Sequence, residues 1–158
     1  PVQAVDVMAR IARTIEGRRG DLAPGSGGPA PVEGGRSGRP ASVECVLSRS
    51  AVDAMRALGA RLILTPTRSG GTARRVSSLK PDCWQLAFCD DERVRDFLVL
   101  SYGVRPVLMK AGRLDRPDVL ERYVRDRRLA RKGDTLILTQ GLSGRGGSPN
   151  ALRVLRLG

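Results

Sequence analysis

Apolar positions along the chain alternate between steps of three or four residues and short continuous runs, the mark of helices interleaved with buried strands. Val2, Val5, Met8, Ala9, Ala12 and Ile15 fall on one helical face, with Arg10, Arg13 and Glu16 elsewhere, and predict an amphipathic helix over residues 1–17 that Gly17 ends. The pattern then stops. Between Gly20 and Pro40 there are seven Gly and four Pro with almost nothing apolar to bury, so residues 18–40 read as a linker.

From Ala41 the alternation resumes. Val43, Val46, Leu47, Ala51, Ala54, Met55 and Leu58 form a helical stripe closed by Gly59, where a left-handed cap is usual. Strands are predicted at Leu62 to Leu64, Trp84 to Phe88, Val104 to Met109, Thr135 to Leu138 and Leu152 to Leu157. Helices are predicted at Thr72 to Leu79, from Asp91 to Tyr102, and from Pro117 through Leu129. This order implies an α/β domain over residues 41–158: a three-layer open sheet of about five strands, mostly parallel, with helices on both faces. The connection into the last strand is too short for a helical crossover, which makes that strand antiparallel.

Composition narrows the function classes. The 158 residues contain no His, which removes imidazole-based triads and the commonest metal ligand. Cys45, Cys83 and Cys89 lack metal-ligand or paired spacing and read as small structural thiols. No apolar run approaches the roughly 20 residues that span a bilayer, and the N-terminal stretch lacks the build of a secretory signal, so a cytoplasmic location is expected. The net charge of +12 turns attention to anions. Aromatics are only 3%, however, which leaves no stacking platforms for single-stranded nucleic acid. Of the 28 basic residues all but Lys80, Lys110 and Lys132 are Arg, a skew that codon bias also produces.

Two loops have the composition to hold an anion. Thr67, Arg68, Ser69, Gly70, Gly71 and Thr72 lie between a strand and a helix, where hydroxyls, bare N–H groups, a helix N-terminus and a guanidinium together make a phosphate cradle. The plain alternative is a tight turn with Thr72 capping the helix. The loop is neither a P-loop nor GxGxxG, so nucleotide hydrolysis has no support. The second loop holds Gly141, Arg145, Gly147, Ser148 and Asn150 and could close over the same anion; its plain reading is a hairpin tip. Asp90, Asp91 and Glu92 are explained by capping rather than metal binding. No catalytic residue emerges.

In order and spacing, four motifs resemble the C-terminal domain of pyruvate kinase. Leu62 to Arg74 is similar to the family's strand and Thr-(Arg/Lys)-Ser-Gly-x-(Ser/Thr)-Ala turn, and Ser101 to Leu108 to its Tyr-Arg-Gly-Val-x-Pro-Val-Leu. Lys132-Gly133-Asp134 with the strand after it, and Gly147-Ser148-Pro149-Asn150, complete the series. The first helix resembles the last helix of the catalytic barrel. The resemblance implies that Thr67 to Thr72 hold an effector phosphate and that the loop of Gly141, Arg145, Gly147, Ser148 and Asn150 closes over a sugar phosphate or nucleotide. It also implies self-association of this domain and docking on the catalytic barrel.

The residues for phosphoenolpyruvate, ADP, magnesium and potassium belong to that barrel, so no cofactor is expected here and this chain alone should not transfer phosphate. Two positions depart from the family pattern: Gly71, where many members have a basic residue that Arg74 or Arg145 would replace, and Pro149, where Thr is usual. Pro1 in place of Met favours a fragment of the enzyme over a free-standing phosphometabolite sensor of the same fold. A basic nucleic-acid-binding protein is the third reading, and a membrane partner is not expected.

Overall fold

The computed structural model describes residues 2–21, 41–140 and 150–158. Helix α1 is Val2–Asp21, so it continues four residues past Gly17, where the pattern had ended it. The rest of the predicted linker lies outside the described residues. Helix α2, Val43–Leu58, starts at Ser42, whose side chain accepts the Cys45 N–H at 3.3 Å, and stops at Gly59 with φ 59°, the left-handed cap its glycine allows.

Strand β1 is Leu62–Pro66, helix α3 Gly71–Ser78, strand β2 Trp84–Cys89, helix α4 Glu92–Leu98 and strand β3 Val104–Leu108. Helix α5, Pro117–Asp126, strand β4, Thr135–Gln140, and strand β5, Ala151–Arg156, complete the chain. The five strands form one sheet in the order β3-β2-β1-β4-β5. The first three pairings along that order are parallel, with Leu62 opposite Trp84 and Leu136, whereas β5 runs antiparallel to β4, with Thr139 opposite Leu152. The α/β class, the mostly parallel sheet and the reversed last strand are as the sequence predicts.

Alternation along the strands sends successive residues to opposite faces. Leu62, Leu64, Leu86, Phe88, Leu136 and Leu138 meet Leu120 and Val124 of α5. Ile63 and Ile137 turn the other way, to Ala51, Val52 and Met55 of α2 and Val76 of α3, while Ala87 and Val104 meet Leu98 of α4. Each fully buried Leu or Phe contributes roughly 1.5–3 kcal/mol by leaving water.

Two helices are shorter than their apolar pattern suggests. The run Phe97-Leu98-Val99-Leu100 extends the predicted α4 to Tyr102, yet only Leu98 of it is buried; Leu100 is 87% exposed. Residues 99–103 instead form turns that end at Gly103, whose φ of 66° re-aims the chain into β3. Helix α5 stops at Asp126 rather than Leu129 because Arg128 adopts φ 52°, which lets the Leu129 N–H return to the Val124 carbonyl at 3.0 Å. In α2 the buried residues are Ser48, Ala51, Val52 and Met55, so the buried face is rotated from the predicted stripe, leaving Val43, Val46 and Leu58 exposed.

Candidate functional site

The parallel strands end together, and the loop leaving β1 sits centrally among them, with β2 on one side and β4 on the other. The Thr67 N–H donates to the Phe88 carbonyl at 2.8 Å, carrying the β1–β2 pairing one residue beyond the strand. Thr67 Oγ1 then accepts the Gly70 N–H at 2.9 Å, which folds the chain sharply before α3. Gly70 is required twice over. Its φ is 79°, and a Cβ there would lie 3.3 Å from Leu98 Cδ2.

Helix α3 therefore begins on Gly70 with no side-chain cap and no acidic residue in its first turn. The expected cap by Thr72 is not made; Thr67 ties the turn instead. The first N–H groups of α3 have no intrahelical acceptor and carry the positive end of the helix dipole. Thr67 and Thr72 are each only 6% exposed. Among the described residues the Thr67 hydroxyl proton finds no acceptor, and the Thr72 hydroxyl makes no hydrogen bond.

Thr67, Ser69, Gly70, Gly71 and Thr72 thus share one turn. Arg68 is exposed and leans to Asp115, its Nη2 4.0 Å from Oδ2. The Asp115 carbonyl in turn accepts the Gln140 Nε2 proton at 3.0 Å, which links this turn to the end of β4. Gly141, Arg145, Gly147 and Ser148 lie outside the described residues. Asn150 stands at the far root of their loop, its N–H donating to the Gln140 carbonyl at 3.1 Å.

No pattern along the chain points to Asp115, an acid in an irregular stretch before α5, or to the polar pair beneath the turn. There Gln85 Nε2 donates to Thr65 Oγ1 at 2.8 Å, both side chains fully buried. A Gln and a Thr inside otherwise apolar strands are the signal that could have found them.

Asp91 caps α4 by accepting the Arg93 N–H at 2.7 Å, as its position predicts. No group of three or more His, Cys, Asp or Glu side chains able to hold a metal gathers among the described residues. Burial pushes the Cys83 thiol up to about 11 and raises Cys89 as well, which makes both poor nucleophiles near neutral pH.

An open, mostly parallel sheet with a glycine-bearing turn after its central strand defines an α/β domain. The family model for the pyruvate kinase alpha/beta domain matches residues 46–155, and the chain belongs to that family. It is 34% identical over 160 residues to a pyruvate kinase of Thermococcus litoralis, covering 99% of this chain and 32% of that one. Over 102 residues it is 37% identical to a pyruvate kinase of Thermotoga maritima, covering 63% of this chain and 22% of the relative. A solved Cryptosporidium parvum pyruvate kinase in complex with ADP superposes with a TM-score of 0.66 at 25% identity, over 75% of this chain and 24% of that one. The chain therefore spans about a third or less of the length of these relatives. No helix among the described residues is long and apolar enough to cross a membrane.

Proposed function

We propose that this pyruvate kinase C-terminal domain is the regulatory and self-associating part of the enzyme and binds a phosphorylated effector, a sugar phosphate or nucleotide, at Thr67 to Thr72. Conversion of phosphoenolpyruvate and ADP, with its magnesium and potassium, belongs in this reading to a catalytic barrel in the cytoplasm. The observation that carries it is the turn itself: uncapped helix N–H groups and the hydroxyls of Thr67 and Thr72, with donors unused, gather where the first turn of α3 holds no carboxylate, and Arg68 stands exposed beside them. A phosphate satisfies all three kinds of donor at once.

Titration calorimetry of the full chain with fructose bisphosphate, hexose and pentose monophosphates and AMP tests it. Binding tighter than millimolar is expected, weakened about ten-fold or more by Arg68→Ala if a charge-assisted hydrogen bond is lost. No binding from that panel, or an Arg68→Ala variant no weaker than Arg128→Ala in the exposed turn after α5, would overturn the assignment.

Self-association has its own support in α1, where Val5, Met8 and Ile11 are exposed. Sedimentation velocity should show a concentration-dependent rise in mass; a strictly monomeric species at high concentration would count against it.

A further inference from the structure

We infer that Arg75, one turn into α3, is a second cation, beside Arg68, that neutralises the phosphate at this site, acting across the space left by Gly71. This rests on the effector-site reading above and adds to it a residue that the motif does not contain. Three arginines lie within reach of the turn, and the structure gives them different employments. Arg68 is turned toward the Asp115 carboxylate. The Arg74 guanidinium sits over the Phe97 ring, 4.9 Å from its centroid, and is held against α4. Arg75 has no carboxylate within ion-pair distance among the described residues.

Its side chain runs back toward the start of its own helix. A Cβ placed on Gly71 would lie 3.5 Å from Arg75 Nη1 and 3.5 Å from Ser69 Oγ. Guanidinium and hydroxyl thus flank the bare backbone of Gly71 from two sides, at the helix end where the N–H groups point outward. A cation at a helix N-terminus opposes the dipole, and nothing in the first turn of α3 compensates it. The Thr72 side chain, next in sequence to Gly71, is 6% exposed, and its hydroxyl makes no hydrogen bond among the described residues. Fixed positive charge and outward N–H groups around one glycine oppose each other until an anion sits among them, and the Ser69 and Thr72 hydroxyls stand ready to donate to it. A phosphate group matches that demand: it takes N–H donors with one oxygen, the Ser69 and Thr72 hydroxyls with another and the Arg75 guanidinium with a third.

Titration calorimetry with fructose bisphosphate and with inorganic phosphate, on the full chain and four variants, tests this. Arg75→Gln should weaken both probes by about ten-fold or more, as loss of a charge-assisted contact does. Arg74→Gln, which leaves the turn untouched, should stay within about two-fold of the parent. Gly71→Arg placed in the Arg75→Gln background should recover most of the loss, because it returns a guanidinium to the same spot, whereas Gly71→Ala in that background should not. Thermal unfolding of each variant keeps loss of fold separate from loss of binding. If the parent chain binds the probes and Arg75→Gln binds them equally well, the inference fails while the effector site stands. If the parent binds neither probe, both fall together.

Discussion

The two faces of the sheet are built differently. Beneath α5 the buried cluster is made only of Leu, Phe, Val and Ala side chains, with the edge of Tyr123 meeting the Phe88 ring at 5.5 Å between centroids. Beneath α2 and α3 the same strands bury Thr65, Gln85 and Thr139, and α2 adds Ser48. Of these, Ser48 Oγ and Gln85 Oε1 have no hydrogen-bond partner among the described residues. A buried polar atom without a partner costs stability that an apolar one does not. The α5 face is thus the stabilising one, and the polar face is the one that leads, through Thr65, Pro66 and Thr67, into the glycine turn before α3.

The comparison breaks most easily at Phe88. Truncating it to Ala should cost roughly 3–5 kcal/mol, since the ring is fully buried among rigid strand and helix neighbours. Across the sheet, Thr65→Val alone should cost about 1–3 kcal/mol, because it strands the whole buried Gln85 amide, whereas Thr65→Val with Gln85→Met should return to within about 1.5 kcal/mol of the parent. Urea unfolding of the three variants measures this. A double variant as damaged as Phe88→Ala would mean that the polar pair is integral to the core, and the contrast between the faces would be lost.

How far the sequence disclosed this arrangement follows the same division. Strand positions were legible because the runs Leu62 to Leu64 and Leu136 to Leu138 are buried on both faces and bounded by turn residues. Helix ends were legible where one side chain or glycine decides them, as at Ser42, Gly59 and Asp91. They were not where long-range packing decides: nothing local in Val99 or Leu100 says that they stay exposed, and the left-handed turn at Arg128 uses no glycine.

The site shows the same split. Its turn could be read from Thr67, Ser69, Gly70 and Thr72, which are adjacent in the chain. Asp115 and Gln140 come from separate segments: Arg68 reaches the Asp115 carboxylate and Gln140 the Asp115 carbonyl, and only the sheet order brings the three segments together. Arg75 was hidden for a different reason: adjacent arginines on a short helix look alike, and only the Phe97 ring under Arg74 tells them apart.

The finest test compares two neighbouring glycines of that turn. Gly70→Ala should destabilise by roughly 1–2 kcal/mol, since a left-handed φ is strained for any residue with a Cβ. Its Cβ would also press on Leu98, part of the small core under α4. Gly71 has neither constraint. Its φ is not in the left-handed range, and the nearest atoms to an added Cβ are the ends of two polar side chains at ordinary contact distance. Gly71→Ala should therefore be neutral or stabilise by up to about 1 kcal/mol, through reduced freedom of the unfolded chain. Thermal unfolding at constant protein concentration resolves the pair. Opposite signs would place the steric demand of the turn on Gly70 alone and leave Gly71 as open space beside Arg75; equal losses at both positions would mean that the backbone, not the arginine, needs the second glycine.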